Sequence, residues 1–414
     1  MIPRWMRLPL PLSLAGLVGL AQAAPLTFNA ALEQAENTSP TLAAQRAQVG
    51  AAQFAVIPAG ALPDPKLFVG VDNYPVSGPM RGSLTQDFMT MQKVGVMQEF
   101  PNADKRRARV EAASAGIEAA AAQSRVARLK VRREAALAWL NRYAQERKLA
   151  LFGDLERENR LLATAVRAQI ASGRAQPADA VIPKQEAALL ADRHDDLARD
   201  LAKANAELRR LIGPAADEPL AGDPPAFNPD ADTLRQHLHR HPELLVFSAE
   251  MRKAEADVRE AVAMKKPDWG VELAYQKRGA QFGDMVSVQF TFDLPIFTSR
   301  RQDPTIAAKQ QELLKLDAER EAMLRDHTNE LDGDLANYAA LERQAARARQ
   351  EWLPLAQQKV DLATASYQAG KTDLTTVLSA RRELIEQRFK LIDLDNQRAS
   401  TAARLYFAYG ENEQ

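Results

Sequence analysis

Two hydrophobic periods run through this chain. Over most of its length apolar residues return in the spacing of a helix seam: Val110, Ile117 and Val131 fall on multiples of seven, as do Leu324, Leu331 and Tyr338. Toward the C-terminus the doublets Val377-Leu378, Leu384-Ile385 and Leu391-Ile392 recur every seven residues, a seam wide enough to meet two neighbours. A few short stretches alternate instead. In DWGVELAY (268–275) Trp269, Val271, Leu273 and Tyr275 share one face. In GDMVSVQFTFDLPIF (283–297) Val286, Val288, Phe290, Phe292 and Leu294 point one way, and Ser287, Gln289, Thr291 and Asp293 the other. That is the period of a strand. Two earlier segments, 65–76 and 86–100, alternate less cleanly.

The order of these elements is written twice. LEQAENTSPTL (32–42) resembles LRQHLHRHPEL (234–244), and PDPKLFVGV (63–71) lies over the stretch around KPDWGVEL (266–273). QEFP (98–101) corresponds to FDLP (292–295), and IASGRAQPADAVI (170–182) to YQAGKTDLTTVLS (367–379). The division expected is a first repeat over 24–213, with a hairpin at 65–100 and a turn at 173, and a second over 231–414, with a hairpin at 267–295 and a turn at 370. The proline- and glycine-rich stretch 214–230 links them. From Asn102 to Ala171 there is no proline, so an unbroken helix of about 105 Å is expected there. Its counterpart from Gln302 to Ala369 is expected to break near Pro304 and Pro354.

Composition removes several classes of function. The 54 basic residues balance 54 acidic ones, which argues against a nucleic-acid surface. There is no cysteine, so disulfides, thiolate metal sites and a cysteine nucleophile are excluded. At the N-terminus, Arg4 and Arg7 precede the apolar run 8–20, followed by Ala21-Gln22-Ala23. This is the form of a secretory signal, residues 1–23, cleaved after Ala23; the run is short for a spanning helix.

Four strands cannot close a barrel alone, since even small membrane barrels need about eight. Apolar-out, polar-in alternation with flanking aromatics (Phe68, Phe88, Phe100, Phe282, Phe297) is what lipid-facing strands require. Two, three or more copies would then each contribute four strands to one ring. A small soluble sheet capping a helical bundle is the other reading of the same pattern. Both hairpins lie at matching places in the repeats and are expected at one end of the rods, with the glycine turns at the other.

On these residues the chain resembles the TolC family of outer-membrane efflux ducts over essentially its whole mature length. The stretches that carry the likeness are the duplicated order, ALPDPKLFVGVDNYPV (61–76), VGVMQEFP (94–101), FDLPIF (292–297) and the turns at Gly173 and Gly370. The segments near Pro65 and MTMQKVGVMQEFP (89–101) are similar to its heavy-metal branch, the CusC- and CzcC-like ducts. The resemblance implies a mainly α fold with a small β part: a long coiled-coil α-helical barrel plus an outer-membrane β-barrel, four strands per chain, completed by trimerisation. It implies a passive exit duct across periplasm and outer membrane, joined to a periplasmic adaptor and an inner-membrane RND pump, with outer-membrane lipid around the strands. Heavy-metal cations are the cargo implied, with antibiotics or other small molecules as the alternative. The tips Gly173, Arg174, Gly370 and Lys371 would meet the adaptor. Relatives often carry acidic rings at the periplasmic aperture, six and nine residues after the turn glycine. Here only Asp179 stands at such a place; Ile182, Thr376 and Ser379 occupy the others, and Asp373 is the candidate substitute.

Other motifs offer weaker chemistry. HLHRH sets His237, His239 and His241 at alternate positions; on a helix His237 and His241 would share a face, a spacing that can hold zinc or copper. Met89, Met91 and Met97 could ligate a soft metal, or simply meet lipid or a neighbour. GKT (370–372) lacks the earlier glycine and strand of a phosphate loop. No catalytic fingerprint is present, and no enzyme activity or cofactor is expected. A periplasmic coiled-coil or adaptor-like protein without a pore is the competing reading.

Overall fold

A computed structural model describes residues 25–173 and 176–410. The expected signal segment and Arg174 lie outside the described residues. The chain opens with α1 (Phe28–Thr38) and α2 (Pro40–Ala59), runs through β1 (Lys66–Asp72) and β2 (Met91–Phe100), and enters α3 (Ala103–Ala171). A short 3-10 turn at Pro177–Ala180 leads to α4 (Ile182–Ile212). The second half follows with α5 (Ala231–His237), α6 (Pro242–Ala263), β3 (Trp269–Lys277), β4 (Met285–Phe292), α7 (Gln302–Arg347), α8 (Leu353–Gln368) and α9 (Leu374–Leu405).

Local chemistry sets the ends of these rods. Asn102 caps α3 by accepting from the Lys105 amide at 2.9 Å, and its own amide donates to Asp268 at 2.8 Å, tying the first long helix to the root of β3. The 69 residues of α3 make a rod of about 104 Å. The breaks expected in its counterpart do not occur as such. Pro304 sits in the first turn of α7, where its missing N–H costs nothing, and Pro354 follows a π-helical turn at Ala348–Trp352 that links α7 to α8 without a loop. A proline can be absorbed when the helix widens just before it.

Among the described residues no single globular core forms. The chain exposes 26213 Å², whereas a compact monomer of this mass would expose about 16,000 Å². The largest apolar cluster is a belt around the middle of the rods: Phe28 and Leu32 of α1, Trp139 and Leu140 of α3, Leu208 and Ile212 of α4, and Phe407. The inter-repeat connector is pinned to this belt. Arg142, buried on α3, donates to the carbonyls of Ala216 and Glu218, and Phe227 packs edge-on against Phe28. Beyond the belt the doublets of α9 face two ways. Leu378 packs with Val166 of α3, and Ile385 with Phe152 of α3 and Leu197 of α4. On the other flank Leu384 meets Ala356 and Val360 of α8, and Leu391 meets Leu341 and Ala345 of α7. The seven-residue doublet is how one helix serves two neighbours.

Candidate functional site

At one end of the rods the four strands form a single antiparallel sheet in the order β1-β2-β3-β4. The repeats join at its centre, where β2 pairs with β3. The register sorts the side chains. Val69 lies opposite Val94, Val94 opposite Tyr275, and Tyr275 opposite Val286; Leu67, Val96, Leu273 and Val288 form the next row. Val271 with Phe290, and Trp269 with Phe292, extend the same face, and Phe100 stacks on Trp269 at 4.2 Å. One face of the sheet is thus largely apolar, broken by Gln98 opposite Val271 and by Gln92 and Lys277 at its far end, and it has no cover among the described residues: Val69 is 76% exposed, Val288 58% and Phe290 59%. A patch of this kind on a water-soluble monomer is rare.

The opposite face is mixed, with charged and amide side chains beside Phe68, Met91 and Met97. Lys93 pairs with Glu272 at 2.7 Å and stands 4.8 Å over the ring of Phe68. Phe68 lies across Gly95, where a Cβ would come within 2.3 Å of its ring and 2.6 Å of the Leu273 carbonyl. Gly95 therefore leaves room for the Phe68 ring over β2 and for the β3 backbone beside it. Met91 and Met97 are at opposite ends of β2, against Asp72 and Lys66, so no methionine pair forms there.

Two strand edges are open. β1 and β4 each pair on one side only, and because the strands alternate in direction, β4 runs opposite to β1. The β4 edge of one copy set beside the β1 edge of another would continue the antiparallel order. In lipid an open edge would strand its N–H and C=O groups at several kcal/mol each.

At the far end are the helical turns. Gly173 and Gly370 take positive φ, 73° and 68°, which favours glycine at both bends. The two tips are tied by Tyr367, whose hydroxyl donates to Gln169 at 2.7 Å. Burial, with the charge of Asp179 added, pushes this phenol above its usual range. Asp179 accepts from the Gln176 amide at 2.8 Å. Asp373 caps α9, accepting from the Thr376 amide at 2.9 Å and its hydroxyl at 2.6 Å, and these bonds hold its carboxyl below the usual range. Both aspartates named as aperture candidates are therefore engaged as turn and helix caps. The Lys371 side chain is exposed, while its amide donates to the Ser366 carbonyl at 2.9 Å.

The histidine triplet does not act as one group. His237 ends α5, His239 sits exposed in a 3-10 turn, and His241 is the buried cap of α6, so the shared helical face expected for His237 and His241 is lost. His241 instead meets His327 of α7, ring centroids 3.8 Å apart, and Glu243, whose carboxylate lies 3.1 Å from His327 Nε2. Burial, reinforced by His327, lowers His241 to about 4. The hydrogen bond to His327 holds Glu243 below the usual carboxylate range. Sequence reading missed His327 and Glu243. Their signal was available: His327 occupies an inward heptad position between Leu324 and Leu331, where a polar residue asks for a partner.

A long helical rod ended by one uncovered, largely apolar sheet is the build of an outer-membrane efflux channel subunit. Residues 233–411 match the family described as Outer membrane efflux protein. The chain is 25% identical over 391 residues to the cobalt-zinc-cadmium resistance protein CzcC of Cupriavidus metallidurans, covering 92% of this chain and 90% of that one. Among solved structures it superposes on CusC with a TM-score of 0.76 at 18% identity, covering 99% of both chains. A membrane protein from Pseudomonas aeruginosa gives 0.79 at 18% identity, over 92% of this chain and 93% of that one. The MtrE outer membrane channel of Neisseria gonorrhoeae gives 0.74 at 16%, over 92% and 88%. The outer membrane is thus where the apolar sheet face belongs, and a pore-free periplasmic protein is set aside.

Proposed function

We propose that three copies of this chain close one twelve-stranded barrel in the outer membrane and continue it as a tunnel of twelve helical rods, forming the passive exit duct of a heavy-metal efflux system. The observation that carries this reading is the uncovered apolar sheet face between two open edges. Burying each such Val, Leu or Phe is worth about 1.5–3 kcal/mol, and only lipid outside and strands at the sides satisfy both face and edges. Two copies would give an eight-stranded barrel, whose interior side chains fill it; a conduit needs at least a third.

Metal cations as cargo are supported by the likeness to CzcC, named for cobalt, zinc and cadmium resistance. The tips around Gly173, Arg174, Gly370 and Lys371 would engage a periplasmic adaptor, which couples the duct to an inner-membrane RND pump. Asp179 and Asp373 would set negative charge at the periplasmic aperture while holding their caps. The test is a deletion strain complemented with the wild-type gene or with Lys371→Glu, grown on cobalt, zinc, cadmium, copper and common antibiotics. Loss of resistance to divalent metals on deletion, restored by wild type and not by Lys371→Glu at equal oligomer levels, is expected. Sensitivity to antibiotics alone would overturn the cargo, and full rescue by Lys371→Glu would remove the tip from the adaptor contact.

A further inference from the structure

Neither the sheet nor the tips use His241, Glu243 and His327. We propose that these three side chains form a binding site for a divalent transition cation of the zinc, cobalt or cadmium kind, set where the second repeat enters its first long helix. The site is independent of what the duct exports. His241 precedes α6, Glu243 lies in its first turn, and His327 comes from the middle of α7, so a bound ion would clamp two helices and the bend before them.

One ligand atom from each residue lies within 4.8 Å of the other two. His327 Nε2 and Glu243 Oε2 are 3.1 Å apart, and two ligands of a tetrahedral zinc stand about 3.3 Å apart when each is about 2.0–2.1 Å from the metal. This pair is already spaced for a shared ion. Two imidazoles and a carboxylate suit a borderline cation and leave a fourth position open. A cavity of about 50 Å³ meets His241 and Glu243, enough for a water, and Lys130 and Arg133 line it. Their charge would favour hydroxide or chloride as the fourth ligand. Glu330, 4.0 Å from His327 Nδ1, adds negative charge on the other side of the ring. Tyr409 packs against both imidazoles and donates to the His327 carbonyl at 3.3 Å, which holds that ring's backbone in place. Without an ion, the same groups make a His327–Glu243 hydrogen bond, a ring stack and a cap in which the Glu243 amide donates to His241 Nδ1 at 3.3 Å; ligation through either nitrogen of His241 gives up that cap, and the ion-free arrangement is the competing one.

Full-length protein without a histidine tag, extracted in detergent and stripped with chelator, is titrated with zinc chloride alone. One equivalent retained per chain through gel filtration is expected, and cobalt(II) in its place should give the intense visible absorption of tetrahedral coordination. His327→Gln and Glu243→Gln should each weaken zinc binding roughly tenfold or more and remove that band, while His237→Ala and His239→Ala change neither. His241→Asn keeps an acceptor to cap α6, so loss of zinc at unchanged circular dichroism separates a missing ligand from a misfolded chain. No stoichiometric uptake by the wild type, or uptake that survives all three ligand substitutions, overturns the site.

Discussion

Val288→Arg sets the sharpest perturbation on the sheet. Val288 lies midway along β4, opposite Leu273, on the apolar face. At the midplane of a bilayer an outward arginine costs about 2–4 kcal/mol, and three copies in the proposed barrel would multiply this to roughly 6–12 kcal/mol. That is comparable to the whole stability of a typical domain, so assembly should fail rather than weaken. The neighbouring substitution Gln289→Arg supplies the control, because Gln289 faces the other side of the sheet opposite Glu272, whose carboxylate an arginine would share with Lys93. The assay is native gel analysis of detergent-extracted outer membranes together with total expression. Val288→Arg should remove the oligomer band and Gln289→Arg should retain it. Equal assembly of both, or loss of the band only with Gln289→Arg, would refute the assignment of faces.

Three further outcomes follow from the geometry. Gly95→Val should disrupt the sheet by driving a side chain into Phe68 and the Leu273 carbonyl, and Phe68→Ala should partly rescue it; oligomer yield reads both. Asp373→Ala removes the cap of α9 at a cost of about 1 kcal/mol, seen as faster amide exchange in its first turn with the barrel unchanged. In metal-free protein, His241 at about 4 against 6.5 unfolded means that the unfolded chain binds more protons between those values. Stability should therefore fall as pH drops from about 6.5 toward 4, by on the order of 3 kcal/mol, and His241→Asn should flatten that slope in denaturant titrations.

The second repeat's strands were legible because their inner faces are polar: Ser287, Gln289 and Thr291 break the apolar run cleanly. β1 was blurred by Phe68, an aromatic on the inner face whose reason is the bare backbone of Gly95 on the neighbouring strand. Leu67, Val69 and Val71 could still have been found by their spacing alone. The α9 doublets announced two neighbours, yet the π-turn before Pro354 was not readable, since proline marks a break equally whether the helix ends or widens. The histidine triplet misled because α5 stops at His237, which turns the apparent helical face into three unrelated positions. The group that does assemble draws on α7, far along the chain, and only the packing of α6 against α7 brings it together.

The native absence of cysteine leaves a clean background for testing whether the sheet finds its missing neighbours on sister subunits. Val69→Cys at the β1 edge is combined in turn with cysteine at 286, 287, 288, 289 and 290 of β4, and membranes are oxidised before denaturing electrophoresis. Covalent trimers from one or more of 286, 288 and 290, with none from 287 or 289, are the predicted result. Monomers throughout, or cross-links without regard to face, would contradict a barrel shared between chains.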